Sequence, residues 1–378
     1  MKKLLLFVLS FFSMTTIVFA ENFASNAKSA ILMEFTTGKI LYEKNSNERL
    51  APASMTKVMT LLLTMEAIDE GKLSMDSSIT ISDNAASMGG SQMFLDANTS
   101  IKLEELIKGV SIVSANDAAV ALAEAVGGSQ ENFVKLMNEK AKELNLENTT
   151  FLNPHGLDTD GHYTTAHDMA IMARELIKHE NILKYTSTYE DYFNKSDGSR
   201  TWLVNTKKLV RFYPGVDGLK TGFTDNAGYC LAATSKRDNV RLIGIVLGEK
   251  DSKVRNSETI NLLDYGFNNV KVNVLKRKGS IIDYLSLEKA NIKNVPILLK
   301  NDLIVIDGPS DKKKIKYKVQ FNNYNLPIKK KTVIGKIKAF YMKNLISEED
   351  LIIGESIRKI DYFDLLKEQL INLLLGII

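Results

Sequence analysis

The sequence predicts an α+β protein with three parts: a mixed strand-and-helix domain, a small all-β domain and a terminal amphipathic helix. Three observations carry that expectation. Strand-like and helix-like runs alternate from Ser29 to about Gly266, short strand-like runs with a strong positive charge fill Val274 to Asp350, and apolar side chains after Arg358 recur at steps of three and four. Of 378 residues, 44% are hydrophobic and 25% charged, a composition that can bury cores in about two domains. A net charge of only +4 gives no sign of a nucleic-acid partner. The single cysteine, Cys230, excludes an internal disulfide and every multi-cysteine zinc or iron–sulfur site, and there are four histidines.

Lys2 and Lys3 precede an apolar stretch from Leu4 that ends at Val18-Phe19-Ala20, which reads as a secretory signal peptide cleaved before Glu21. The alternative is an uncleaved anchor, because the stretch runs close to spanning length. Either way the body is exported, and a lone cysteine in an oxidising compartment means that the core holds the fold.

Next comes a β-hairpin, Ala30 to Phe35 and Lys39 to Tyr42 about a Thr37-Gly38 turn. The run Val58 to Ile68 is apolar on nearly every face, so it predicts a helix inside a core, stopped near Gly71. Leu103 to Val110 and Ala118 to Val126 predict two further helices, and Thr165 to Asp168 reads as a capping box for another through Leu176. Gly228 to Thr234 and Val240 to Leu247 flank a turn at Ser235 to Asn239 and predict an antiparallel pair. Val274 to Asp350 carries 17 Lys or Arg against 8 Asp or Glu, a solvated face or one turned to anionic lipid or wall polymer. At the end, Ile360, Phe363, Leu366, Leu370, Leu373 and Leu374 form an apolar stripe that lies on a membrane or packs on the protein, but is too short to span.

The chemistry resides in a hydroxyl–amine pair. S-x-x-K places the two groups within reach on one side of a helical turn, where the amine can act as base to the hydroxyl. The string occurs five times, but only Ser54 and Lys57 follow a proline and open the apolar helix, where burial keeps the amine neutral. A companion S-x-N occurs twice. Spelling favours Ser82-Asp83-Asn84, the commoner form of the motif, but it follows a strand and reads as a helix cap, whereas context favours Ser114-Ala115-Asn116, in a break between two helices that can deliver polar side chains into a cleft. Lys220-Thr221-Gly222 occurs once, before a strand, and its glycine would allow a substrate backbone to approach.

Ser54-Met55-Thr56-Lys57, Ser114-Ala115-Asn116 and Lys220-Thr221-Gly222, in that order, resemble the low-molecular-mass penicillin-binding proteins, the serine D-alanyl-D-alanine carboxypeptidases. Gly90 to Leu95, Asn153 to Asp158 and Val216 to Thr224 look like that family too. The resemblance implies a β-lactamase/DD-peptidase-like fold, an antiparallel sheet with helices on both faces. It implies Ser54 as acylated nucleophile, Lys57 as general base and Ser114 as the hydroxyl passing a proton to the leaving amine. Asn116 would hold the substrate amide, Lys220 and Thr221 the terminal carboxylate, and the backbone N–H groups of Ser54 and Phe223 the oxyanion. Arg255 matches a family arginine near the carboxylate pocket, or is a surface residue. His155 shapes a loop beneath the site and Cys230 is a small buried hydrophobe.

The expected partners are peptidoglycan stem peptides ending in D-Ala-D-Ala, β-lactams bound covalently, and a membrane surface through the terminal helix; no metal or cofactor is implied. The expected divisions are 1–20 signal peptide, 21–270 catalytic domain, 271–352 small β domain and 353–378 amphipathic helix. Two rivals are a β-lactamase, which would need an efficient deacylating carboxylate and for which no Glu-x-x-x-Asn string is expected between Ser114 and Lys220, and a non-catalytic muropeptide-binding scaffold.

Overall fold

The computed structural model describes residues 23–195, 198–238, 240–287, 290–306, 312–361 and 364. The expected signal peptide, and the expected terminal helix beyond 361 apart from residue 364, lie outside them. Strands β1 (Ser29–Glu34) and β2 (Ile40–Lys44) form the expected hairpin. With β3 (Val216–Thr224), β4 (Gly228–Arg237) and β5 (Val240–Glu249) they build an antiparallel sheet of order β2-β1-β5-β4-β3. The β4–β5 turn is tighter than expected, because pairing continues to Arg237 and Val240.

All six residues of β1 are buried. Alternate side chains of a strand point to opposite faces, so Ile31 and Met33 enter one core while Ala30 and Leu32 enter another. The first core is filled by α1 (Lys57–Asp69), α2 (Leu103–Ile112), α3 (Asn116–Gly127), α4 (Gln130–Glu143) and α5 (Ala166–Lys178). The second is covered by α6 (Ser252–Asn269) through Leu262 and Leu263. This is the expected sheet with helices on both faces. Helix α1 buries ten of its 13 residues, which places it inside rather than on the helical layer.

Thr165 caps α5 by accepting from Asp168 N, but the box does not close: the Asp168 carboxylate accepts instead from Asn148 N and Thr149 Oγ1. Helix α4 goes beyond the expected set, with Phe133, Met137 and Ala141 buried at steps of four behind the Ser129 cap. A hairpin of Glu190–Asn194 and Arg200–Val204 is a further addition.

Beyond α6 the described residues up to 361 form strands, with one 3-10 turn at Lys312–Lys314. Strands β6 (Val272–Lys276) and β9 (Leu303–Ile306) pair, and β7 (Ile281–Ser286), β8 (Asn294–Leu299), β10 (Ile315–Phe321), β11 (Val333–Tyr341) and β12 (Asn344–Ile353) form an antiparallel sheet of order β7-β8-β12-β11-β10. Its core is separate from the first two. The terminal helix does not begin at Ile353: that residue ends β12, Ile357 bridges to Ile328, and Lys359 bridges to Ala290. Ile353 and Ile357 are apolar and buried in this core, so burial draws the segment into the sheet. Among the described residues no helix is long and apolar enough to cross a membrane.

Candidate active site

Ser54 sits on a 3-10 turn, Ala53–Thr56, ahead of α1 rather than on its first helical turn. The turn runs straight into Lys57, so the expected pair still meets: Lys57 Nζ lies 2.9 Å from Ser54 Oγ. Two glycines let neighbouring segments close on the turn. A Cβ on Gly156, whose φ is +88°, would stand 1.8 Å from Ala53 O. One on Gly222 would stand 3.1 Å from Ala53 Cβ and from Met55 Cγ. The bare backbone at Gly222 thus seats β3 against the nucleophile turn, a contact inside the protein that the sequence does not reveal.

Lys57 is fully buried. Its Nζ also donates to Asn116 Oδ1 and to the His155 carbonyl, each at 2.7 Å. Burial pushes its pKa down to about 7, against the smaller opposing pull of the Asp117 charge. His155 therefore serves through its backbone. Its ring Nδ1 accepts from Leu157 N, and burial followed by the nearby Lys57 charge lowers the imidazole pKa to about 4.

Ser114 occupies the break between α2 and α3 with φ +66°. Its Oγ is buried and has no hydrogen-bond partner among the described residues. Asn116 is anchored on both ends of its carboxamide, to Lys57 through Oδ1 and to Gly89 O through Nδ2 at 2.7 Å. Asp117 accepts from Met93 N and Leu95 N and so ties the Gly90–Leu95 segment beside the break. The other copy is elsewhere: Ser82 caps a short helix through Ala85 N, and exposed Asn84 donates to Glu124.

On the opposite wall Lys220 is fully buried and donates to Thr221 O at 2.8 Å. Burial, then the positive charges of Lys57, Lys207 and Arg255, lowers its pKa well below the ordinary lysine value. Thr221 Oγ1 donates to Thr206 Oγ1 at 2.7 Å. Phe223 is half-exposed and packs its ring on Tyr229, with 4.3 Å between centroids. Arg255 is buried in the first turn of α6, not a surface residue, and donates to Asn256 Oδ1. Ser54, Ser114, Thr221, Gly222, Phe223 and Arg255 line one cleft of about 420 Å³.

Cys230 faces Gly222 across the sheet and is buried, which raises its thiol pKa to about 11. Contrary to expectation a Glu-x-x-x-Asn string does lie between Ser114 and Lys220, at Glu190 to Asn194, and bears on the β-lactamase rival. It lies on an exposed hairpin strand, and neither end lines the cleft. Two further residues escape the motifs. Asp117 follows Asn116 directly and could be suspected from that adjacency, whereas Lys207, in the basic pair Lys207-Lys208, gives no sign of being buried.

The family described as D-alanyl-D-alanine carboxypeptidase matches residues 16–251, and the one described as penicillin-binding protein 5, C-terminal domain, matches 271–359. The chain is 44% identical to the D-alanyl-D-alanine carboxypeptidase DacF of Bacillus subtilis over 91% of its length and 89% of that protein's. It is 35% identical to DacC of Escherichia coli, also named a D-alanyl-D-alanine carboxypeptidase, over 89% and 86%. The crystal structure of penicillin-binding protein 5 from Haemophilus influenzae superposes with a TM-score of 0.66 at 32% identity, covering 88% of this chain and 98% of that one. A penicillin-binding protein of Listeria monocytogenes, solved in an ampicillin-bound form, matches at TM-score 0.57 and 33% identity over 64% of this chain and 98% of its own. With the serine–lysine pair in a cleft between helices and sheet, and these matches spanning both domains, the chain belongs to the D-alanyl-D-alanine carboxypeptidases, a family of serine peptidases.

Proposed function

We propose that the protein removes the terminal D-alanine from peptidoglycan stem pentapeptides through an acyl-enzyme on Ser54, and that β-lactams acylate the same hydroxyl. The observation that carries this reading is the set of partners around Lys57. A neutral amine has two protons and one lone pair. The carbonyl oxygens of His155 and Asn116 can only accept, so they take the two protons and turn the lone pair to Ser54 Oγ. Ser54 Oγ then bonds to the carbonyl carbon of the penultimate D-alanine while its proton passes to Lys57 Nζ. The C–N bond breaks, the electron pair stays on the amine of the terminal D-alanine, and that amine takes the proton by way of Ser114 Oγ. Water then adds its hydroxyl to the acyl carbon, the bond from that carbon to Ser54 Oγ breaks with its electron pair left on Oγ, and the remaining water proton goes to Oγ.

The backbone N–H groups of Ser54 and Phe223 hold the oxyanion. Lys220, Thr221 and the cation of Arg255 receive the substrate's carboxylate. Asn116 orients Lys57, and its Nδ2 group, beside the cleft, serves the substrate amide. Exported placement on the outer face of the cytoplasmic membrane, with the residues after 361 as anchor, completes the reading. The ampicillin-bound relative supports the β-lactam part. Incubation with a D-Ala-D-Ala pentapeptide should release free D-alanine. Ser54→Ala should abolish both that release and labelling by fluorescent penicillin without moving Tm, since one hydroxyl contributes little to stability; a fully labelled variant would refute the assignment.

A further inference from the structure

Lys207 is a fully buried lysine that enters the chemistry above only as one of the charges around Lys220. An amine in an apolar interior costs several kcal/mol unless its protons are used, and a methionine of similar volume would fill the space. The structure shows where one proton goes: Nζ donates to Ser111 O at 2.6 Å. Ser111 belongs to the last turn of α2, whose final carbonyls have no partner within the helix. Thr206 N takes the next carbonyl, Ile112 O, at 3.1 Å. Thr206 Oγ1 in turn accepts from Thr221 on β3.

The segment is itself fixed, since Asn205 Nδ2 donates to Thr186 O and Thr188 O while Asn205 Oδ1 accepts from Lys207 N. A positive or dipolar donor at a helix C-terminus is also electrostatically favoured. Residues 205–207 thus clamp the end of α2 to the strand carrying Lys220, Thr221 and Gly222, and Ser114 stands three residues past the carbonyl that Lys207 holds.

We propose that Lys207 is a positioning residue for acylation: by holding Ser111 O it fixes the left-handed turn that presents Ser114 to the cleft. The inference rests on the assignment of proton transfer to Ser114. Misplacing a reacting group by about 1 Å costs up to about a hundredfold in rate, so the effect falls on chemistry and not on ligand affinity.

The test is a double-mutant cycle in the full chain, measuring the Kd and first-order rate constant for acylation by a penicillin. Lys207→Met should lower the rate constant about tenfold or more with Kd within about twofold, and in a Ser114→Ala background should cost less than about twofold further. A folded Lys207→Met protein with wild-type rate, or a loss that adds fully to that of Ser114→Ala, overturns the proposal alone. Ser114→Ala with wild-type acylation would instead remove the Ser114 step and this inference with it. If Lys207→Met does not fold, Lys207→Gln keeps an N–H for Ser111 O and should hold the rate within about threefold; a folded Gln variant that loses it counts against the proposal.

Discussion

As the proposed base Lys57 has to be neutral to accept the Ser54 proton, and its surroundings already hold its pKa at about 7, chiefly through burial. The neutral fraction rises with pH, so penicillin acylation should climb about tenfold per unit below pH 7 and level off above it. A rate that is flat from about pH 5.5 to about 8.5, or that falls, would contradict Lys57 as base. Stability follows the same sign. The folded pKa lies below the unfolded value near 10.4, so between the two the unfolded chain binds more protons, and stability is gained as pH rises through that window.

Asn116→Ala should slow acylation by about a hundredfold, because it frees the amine that Asn116 Oδ1 holds, whereas Asn84→Ala should leave the rate near wild type. The reverse pattern, read by the same penicillin kinetics, would show that the wrong S-x-N copy had been placed in the cleft. At this scale the legibility of the sequence is uneven. Ser54 and Lys57 stand out because one S-x-x-K alone opens a helix that is apolar on nearly every face. Lys207 does not, because Lys207-Lys208 with nearby Arg211 has the look of a solvated face, and only tertiary packing buries it.

The Ala53–Thr56 turn shows how elements rather than motifs set the geometry. It is pressed from one side by the loop at Gly156, whose carboxamide neighbour Asn153 accepts from His155 N and Gly156 N, and from the other by β3 at Gly222. Gly156→Ala must displace the Ala53 carbonyl and also adopt a positive φ, a combined cost of about 2 to 5 kcal/mol. It should lower Tm by several degrees and abolish penicillin labelling. Gly222→Ala needs its neighbours to give only a few tenths of an ångström, so it should stay folded and lose acylation rate alone. Equal losses of Tm in the two variants, measured by thermal melts, would mean that the turn yields and the close approach is not what holds it. The hairpin, the buried helix and the β4–β5 pair are legible from local periodicity. The 3-10 turn is not, because the force shaping it comes from residues 156 and 222, far along the chain.

At the scale of the whole molecule, the small domain closes later than composition suggests. Composition marks its start around Val274, close to the first strand at Val272, but its end is set by pairing that joins Ile357 to Ile328 and Lys359 to Ala290. Hydrophobic periodicity alone cannot separate Ile357, which is buried in this core, from the apolar stripe that begins at Ile360. The distinction decides how attachment should be tested. A truncation from Ile357 would remove a core residue and confound anchoring with unfolding, whereas one that removes residues 362–378 spares every described core position of the domain. No proposed active-site residue lies in the removed segment either. In the proposed attachment each apolar side chain buried in a membrane surface would contribute about 1.5 to 3 kcal/mol, so the sequence stripe of Phe363, Leu366, Leu370, Leu373 and Leu374 would be enough without a span. The chain lacking 362–378 should therefore release D-alanine from pentapeptide at the wild-type rate while moving from the membrane to the soluble fraction. If the leader is shown to be cleaved and the shortened protein still sediments with membranes, the anchor lies elsewhere; if it loses activity, the tail is part of the folded enzyme.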